Sequence, residues 1–323
     1  MNAWRLLGFS VNYLNLACAL PSELPEHRER GGLLLLTGPA NSGKTSLLRA
    51  LVCATADPHE VSAVLPAGSL DDWRESMQHV HLGFCESEMR ASSRVRYDDS
   101  TWTCSGNTTY NPSGMRRPLV VAYGPSRGDT RRGFGIGSLF SDARDGEDGP
   151  CVAGTDWRVT FPTSLRRTVL DAEATAFREL RKLDAVANRG RFYSDLCRVI
   201  KELTGIDAMH YGPESASHCG AAYDLLRLGQ ADSHLLAWVV DMSVRWHVFG
   251  RGARLDDASG FTVVDNADLY MTRSRFLATL PKLRELFPRM TFVVSCSHEP
   301  EPNNYSLTLA LEQADNRTKI EVL

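Results

Sequence analysis

The fold is decided by one stretch of sequence, Leu33-Leu34-Leu35-Leu36-Thr37-Gly38-Pro39-Ala40-Asn41-Ser42-Gly43-Lys44-Thr45. Its first part is a short apolar run, which is typical of a strand covered on both faces. Its second part is the GxxxxGK[ST] pattern of a phosphate-binding loop. Residues 43–54 then follow a helical pattern. The stretch therefore predicts a strand, a phosphate-binding loop and a helix in direct succession, the arrangement of a P-loop nucleotide-binding fold.

The residue types in this loop suit a triphosphate. Glycines let the backbone curl so that successive N–H groups point at phosphate oxygens, at the positive end of the helix that follows. Lys44 supplies a point charge for the β- and γ-phosphates, and the Thr45 hydroxyl can ligate Mg²⁺. We expect ATP and Mg²⁺ as cofactors. The residues expected to bind nucleotide here are Gly38, Asn41, Ser42, Gly43, Lys44, Thr45 and Ser46.

A second apolar run, Phe261-Thr262-Val263-Val264, ends in a carboxylate, Asp265. This is the form of a Walker B strand, whose aspartate emerges at the strand's carboxyl end beside the P-loop. We expect Asp265 to hold Mg²⁺ together with Thr45, directly or through water.

The residue after this aspartate is Asn266, where many P-loop ATPases carry a glutamate that orients or deprotonates the attacking water. An amide can hydrogen-bond a water but cannot accept its proton, and loss of a general base costs about 10²–10⁴ in rate. Asp268 is the alternative base if its side chain points the same way. Catalysis is therefore expected to be slow or absent.

A further strand, Thr291-Phe292-Val293-Val294, leads through Ser295-Cys296-Ser297 to His298. A histidine just past a core strand can contact the γ-phosphate. The position of His298 relative to Asp265 favours that role over a surface histidine.

Taken together, these motifs resemble the ABC-type ATPase head of RecF, SMC and OLD-like proteins. The resemblance is closer to the stand-alone AAA-type ATP-binding proteins of that clade, many of which occur in bacterial anti-phage systems. Besides the P-loop, it is carried by Ala122-Tyr123-Gly124-Pro125-Ser126-Arg127, by Leu226-Arg227-Leu228-Gly229-Gln230 at the place of the signature motif, and by the stretch from Val263 through Leu286-Phe287-Pro288 to His298.

The resemblance implies an α/β P-loop NTPase fold, an ABC-type head with an N-terminal antiparallel β-region and a helical insertion. It also implies that two heads sandwich two ATP molecules, with each signature helix pointing its N-terminus, at Gly229, toward the other subunit's γ-phosphate. The signature serine of the family is replaced by Arg227. An arginine-finger-like role across a dimer and a solvated surface arginine both remain open for this residue.

The chain is divided into three parts on this reading. Residues 1–140 form the P-loop half, with an antiparallel β-region over 60–120; residues 141–223 form a helical subdomain; residues 224–323 carry the signature and the Walker B strand. Residues 165–204 are helical by period, and Gly205 is the expected stop. The charged, glycine-rich segment 124–150 is expected to be a mobile loop.

Composition limits the compartment and the partners. The 323 residues carry a formal net charge of −3, so no global basic field indicates nucleic acid. There is neither an 18-residue apolar run nor a signal-like N-terminus. The eight cysteines lack any CxxC spacing, which favours free thiols in a reducing compartment. We expect a cytoplasmic protein with no membrane span.

Three functions are compatible with these features. The first is an ATP-gated homodimer or higher homo-oligomer that acts as a sensor or scaffold for a separate effector protein, in anti-phage defence. The chain ends about 25 residues after His298, which leaves no room for the nuclease-like domain of OLD proteins, so we expect the effector on another polypeptide. The second is a DNA-associated, RecF-like repair ATPase. The third is a small-molecule kinase.

Overall fold

The structure is a computed structural model. It describes residues 3–11, 16–19, 31–55, 75–84, 87–98, 101–110, 119–123, 152–154, 190–209, 215–218, 221–224, 254–297, 307–314 and 317–322, with single residues and pairs between 231 and 246.

Fifteen strands lie in the described ranges, numbered here along the chain. They are β1 (Trp4–Val11), β2 (Leu16–Ala19), β3 (Leu33–Thr37), β4 (Glu75–Phe84), β5 (Ser87–Asp98), β6 (Thr101–Tyr110), β7 (Leu119–Tyr123), β8 (Val152–Gly154), β9 (Ile206–Met209), β10 (Ser215–His218), β11 (Ala221–Asp224), β12 (Gly260–Val264), β13 (Met290–Ser295), β14 (Leu307–Ala314) and β15 (Arg317–Val322).

A seven-stranded sheet in the order β15-β14-β3-β13-β12-β7-β8 forms the centre of the molecule. All neighbouring strands in it are parallel except β14 and β15, which form an antiparallel pair. Every residue of β3, β12 and β13 is buried. Continuous apolar runs of this kind are what a parallel sheet covered on both faces requires. The three strands predicted from the apolar runs are therefore confirmed.

A second sheet, in the order β2-β1-β4-β5-β6, is antiparallel throughout. It confirms the antiparallel β-region at the N-terminal side of the chain. Asp98 at the end of β5 pairs with Thr101 at the start of β6. A third, three-stranded antiparallel sheet contains β9, β10 and β11.

Three helices have complete descriptions: α1 (Lys44–Thr55), α2 (Gly190–Thr204) and α3 (Arg273–Leu286). Helix α1 follows the phosphate-binding loop, as predicted, and contacts both the central sheet and the antiparallel sheet. Helix α2 ends at Gly205, whose φ of 77° and N–H bond to the Lys201 carbonyl at 2.8 Å form the expected glycine stop. The earlier part of the predicted helix, residues 165–189, lies outside the described residues.

One hydrophobic core lies between the central sheet and the helices on one of its faces. Strand side chains such as Leu35 and Val294 meet α2, α3 and helical residues between 231 and 246. Aromatic rings fill its middle: the Phe292 ring lies 6.5 Å from that of Trp238 and 6.2 Å from that of Phe287, in edge-to-face contacts. This core fixes β12 and β13, whose ends carry the site.

The middle part of the predicted division, residues 141–223, contains four strands besides α2. Strand β8 joins the edge of the central sheet, and β9 to β11 form the three-stranded sheet. None of these strands was predicted, because each has only three or four residues. The boundaries 1–140, 141–223 and 224–323 stay predictions. In the part of the chain that the structure describes, no helix is both long and apolar enough to cross a membrane.

The aromatic cluster gives a first prediction. Replacing Phe292, which is 1% exposed, by alanine leaves a cavity against two other rings. We expect the free energy of unfolding to fall by about 3–5 kcal/mol, measured by urea denaturation. Glu285→Ala, on the exposed side of α3, is the control and should change it by less than about 0.5 kcal/mol. Equal effects of the two variants would contradict this description of the core.

Candidate functional site

The candidate site lies where three parallel strands of the central sheet end. Strand β13 lies between β3 and β12, and Ser295 at its end pairs with Leu36 of β3. The phosphate-binding loop leaves the end of β3, and Asp265 directly follows β12. Open parallel sheets bind ligands at the carboxyl ends of their strands, which is where these groups meet.

The phosphate-binding loop has the curled backbone that its glycines predict. Gly38, Asn41 and Gly43 adopt positive φ angles of 132°, 63° and 93°. A Cβ atom on Gly38 would stand 2.1 Å from the Leu311 carbonyl oxygen, so β14 also requires glycine at this position. The loop shape therefore depends on both conformational freedom and a close approach of two backbones.

Lys44, the first residue of α1, folds back over this loop. Its ammonium group donates hydrogen bonds to the carbonyl oxygens of Gly38 at 2.6 Å and Pro39 at 2.8 Å, and lies 3.5 Å from the Ser42 hydroxyl. The one cation of the loop is thus held at its centre. A phosphate that binds there meets a positive charge already in position.

Burial lowers the pKa of Lys44, whereas the nearby Asp265, Cys296 and Asp268 raise it. These three residues come from the ends of β12 and β13 and from the turn after β12. Their electrostatic contact with Lys44 brings the P-loop and the Walker B segment into one site.

Asp265 is fully buried at the head of this segment. Its N–H donates to the Tyr123 carbonyl of β7 at 2.9 Å, and its Oδ1 accepts a short hydrogen bond from the Ser295 hydroxyl. The carboxylate is therefore oriented by a side chain of the adjacent strand. The hydroxyl also accepts a bond from the Asn266 N–H at 2.8 Å, so Ser295 contacts two successive residues.

Asn266 stands in the left-handed region, with a φ of 49°. Asparagine tolerates this conformation better than most residues. The turn continues to Tyr270, with the Leu269 N–H bonded to the Asn266 carbonyl at 3.0 Å. The Asn266 side chain is half-buried, and its amide cannot accept a proton from water.

Asp268 is 4% exposed, and its Oδ2 accepts two hydrogen bonds from Ser297. The Ser297 N–H donates at 2.8 Å and the Ser297 hydroxyl at 2.6 Å. The carboxylate predicted as an alternative base is therefore engaged with the segment that follows β13.

Cys296, between the two serines, is buried against the base of the P-loop. Its N–H donates to the Leu36 carbonyl at 3.0 Å, and its thiol lies 3.8 Å from the same oxygen. Burial, and to a lesser extent the Asp268 carboxylate, raises the pKa of the Cys296 thiol to about 12, while Lys44 acts in the opposite direction. A thiol in this environment is neutral and packs as an apolar group.

The structure thus brings together many of the predicted site residues: the P-loop set from Gly38 to Ser46, Asp265, Asn266 and Asp268. Arg227, Gly229 and His298 lie outside the described residues, as does segment 124–150. Sequence reasoning missed Ser295 and Ser297 as site residues. Their signal was the alternation of hydroxyl side chains at the point where a buried strand ends.

The donor set fits Mg²⁺. Thr45, in the first turn of α1, supplies a hydroxyl oxygen, and Asp265 supplies a carboxylate whose Oδ1 accepts a hydrogen bond from the Ser295 hydroxyl. Mg²⁺ prefers such oxygen ligands and binds through one or two protein groups plus phosphate oxygens and water. In the described residues, no group of three or more histidine, cysteine, aspartate or glutamate side chains is arranged to hold a metal ion.

Comparison with solved structures shows the fold. The chain is similar to an SMC head bound to the C-winged helix domain of ScpA, with a TM-score of 0.52, 13% identity, and coverage of 99% of this chain and 97% of that one. It is similar to the SMC head domain from Thermotoga maritima with the same score and identity, over 99% of both chains. A third SMC head, with an extended coiled coil and bound to the C-terminal domain of ScpA derived from Pyrococcus furiosus, matches with a TM-score of 0.51 and 12% identity, over 99% of this chain and 96% of that one.

No protein-family model matches the chain, and no curated protein matches it by sequence. The structural likeness runs over nearly the whole length of both partners. The α/β fold of a P-loop ABC-type head, predicted from the sequence, is therefore confirmed.

The environment of Cys296 gives a second prediction. With a pKa of about 12, only about one thiol in 10⁴ is ionised at pH 8, so alkylation by iodoacetamide in the folded protein should be negligible over an hour. Peptide mass spectrometry measures the labelled fraction. The same residue in 8 M urea is the internal control and should label fully. Equal labelling rates in the folded and denatured protein would contradict the burial of this thiol.

Proposed function

We propose that the chain is an ATP-binding, nucleotide-gated ABC-type head that dimerises around ATP and hydrolyses it slowly or not at all. The observation that carries the proposal is the position of Lys44. Its ammonium lies on the carbonyls of a curled glycine loop, within electrostatic contact of Asp265 and Asp268. A half-buried cation on a curled glycine loop, with carboxylates nearby, is the arrangement that binds a Mg²⁺-bound triphosphate.

On binding, the ammonium of Lys44 exchanges the Gly38 and Pro39 carbonyls for phosphate oxygens. The backbone N–H groups of the loop and the first turn of α1 supply the remaining donors, aided by the helix dipole. Thr45 and Asp265 would hold Mg²⁺, which would neutralise phosphate charge when bound. Ser295 keeps the Asp265 carboxylate in one orientation for this contact.

Slow hydrolysis is inferred from the residue next to the magnesium ligand. Asn266 can orient a water but not deprotonate it, and the missing base is expected to lower the rate by about 10²–10⁴. An ATP complex that persists is suited to switching rather than to turnover. Another protein would then recognise whether the head has ATP bound.

The dimer is inferred from the resemblance to ABC-type heads. In that arrangement Gly229 begins the helix that faces the partner's γ-phosphate, Arg227 reaches across the dimer, and His298 contacts the γ-phosphate in the same subunit. Two of the similar SMC heads are bound to domains of ScpA, which supports a separate protein partner for this chain too. A sensor or scaffold role toward an effector in anti-phage defence, in the cytoplasm, is the function we propose for the assembly.

The third prediction tests nucleotide binding. Lys44→Ala removes the cation that contacts phosphate. Because hydrogen bonds to charged groups contribute about 1.5–3 kcal/mol each, ATP affinity should fall about tenfold to a hundredfold or more, measured by calorimetry with Mg²⁺. Lys282→Ala is the matched control, since Lys282 also donates to a main-chain carbonyl, that of Glu202, but on the surface of α3. ATP affinity unchanged in Lys44→Ala would overturn the proposal.

The fourth prediction tests the gate. Sedimentation of the wild type should show a doubled mass with ATP and Mg²⁺ and the smaller species with ADP, and Lys44→Ala should stay small in both. Turnover in the same samples should be below about 1 s⁻¹, the low end of ordinary kcat values. Turnover of tens per second would refute the slow switch. Salt-sensitive stimulation of ATP turnover by DNA would favour the repair ATPase. Transfer of phosphate to a metabolite would favour the kinase.

A further inference from the structure

Two serines at the end of β13 each bind one carboxylate of the turn after β12. Ser295 contacts Asp265, and Ser297 contacts Asp268. The two aspartates are three residues apart on the turn, and the two serines are two residues apart at the end of the strand. The two segments therefore run side by side. The Ala267 N–H, which donates to the Ser295 carbonyl at 2.8 Å, closes the gap between the pairs.

The Asp268–Ser297 pair differs from an exposed polar contact in two ways. Both donors of Ser297, the N–H and the hydroxyl, converge on a single oxygen, Oδ2, at 2.8 and 2.6 Å. The carboxylate that accepts them is 4% exposed. Hydrogen bonds to a buried charged acceptor are about twice as strong as neutral ones, so this contact fixes the backbone at residue 297.

This geometry argues against Oδ2 of Asp268 as the oxygen of a general base. A base needs a lone pair directed at the attacking water within about 2.6–3.2 Å. Oδ2 of Asp268 instead accepts both donors of Ser297. This oxygen of a buried carboxylate is therefore bound to a neighbouring segment of the chain.

The segment held by this pair is also attached on its other side. Cys296, next to Ser297, donates its N–H to the Leu36 carbonyl, at the end of the strand that enters the P-loop. Residues 295–297 are therefore fixed between the Walker B turn and the base of the P-loop. The residue that follows them in the sequence is His298.

We propose that Asp268 is a positioning residue, not the base: its carboxylate anchors Ser297 and so holds residues 295–297 beside the P-loop, directly before His298 in the sequence, the residue to which the proposed function gives the γ-phosphate contact. The inference rests on the proposed function, because it deepens the account of how that site distinguishes ATP from ADP. It gives Asp268, which the sequence suggested as an alternative base, a positioning role instead. It also gives Ser297 a role in nucleotide discrimination.

The fifth prediction compares four variants by the ratio of ADP to ATP dissociation constants, measured by calorimetry. Asp268→Ala and Ser297→Ala break the anchor and should lower the preference for ATP about fivefold or more. Asp268→Asn keeps an oxygen acceptor in the same place, so it should restore most of that preference. Ser243→Ala is the control and should leave the ratio unchanged. It also removes a buried serine hydroxyl, which donates to the Val239 carbonyl at 2.7 Å and lies well before the turn in the sequence.

Single-turnover hydrolysis of the Asn variant separates the two roles of Asp268. A loss of about 10²–10⁴ in rate with an unchanged dissociation-constant ratio would identify the base and overturn the proposal. An unchanged ratio in both alanine variants would overturn it too, since a purely structural contact lowers stability without affecting discrimination.

A double-mutant cycle in unfolding tests the anchor without nucleotide. Combining Asp268→Ala with Ser297→Ala should cost less than the sum of the single changes, with coupling of about tenfold in the unfolding equilibrium constant, because each change removes the same contact. Additive effects would contradict the anchor. If coupling is found but the wild type binds no ATP, the anchor stands and the proposed function fails, so the two failures are distinguishable.

Discussion

The site depends on one half-buried cation placed where three parallel strands end. The Lys44 ammonium lies against the carbonyls of Gly38 and Pro39 and in the field of Asp265 and Asp268. Partial burial lowers the pKa of Lys44, and the nearby acidic groups oppose that shift, so the P-loop and the Walker B turn are coupled electrostatically. The parallel order of β3, β13 and β12 is what delivers these groups to one edge.

The parts of the fold that follow from local chemistry were predictable. Four successive leucines before a GxxxxGK[ST] loop specify a strand buried on both faces, since only a covered strand accepts such a run. The positive φ angles of Gly38 and Gly43 follow from the same motif. Asp265 was predictable as the residue that ends a buried strand. The sequence therefore predicted those parts of the candidate site in which a residue type at a given place in the motif serves one structural purpose.

Other features depend on partners distant in the sequence. The bonds from Ser295 and Ser297 to the two aspartates span about 30 residues, and no local pattern specifies them. Strands β9 to β11 have four residues each, too short for alternation to be distinguished from loop. Asp268 shows the difficulty most clearly. Its residue type suited a base, whereas its burial and its contact with Ser297 favour an anchor.

We propose that a phosphate-binding loop is combined here with a Walker B turn that carries Asn266 where many P-loop ATPases have a glutamate, and we expect a long-lived nucleotide complex. The central claim is tested most directly by a crystal structure of the chain with Mg²⁺ and a non-hydrolysable ATP analogue. We predict phosphate oxygens within hydrogen-bond distance of the Lys44 ammonium, and the metal between Thr45 and Asp265. A nucleotide bound elsewhere, with the Lys44 ammonium still on the Gly38 carbonyl, would contradict the account.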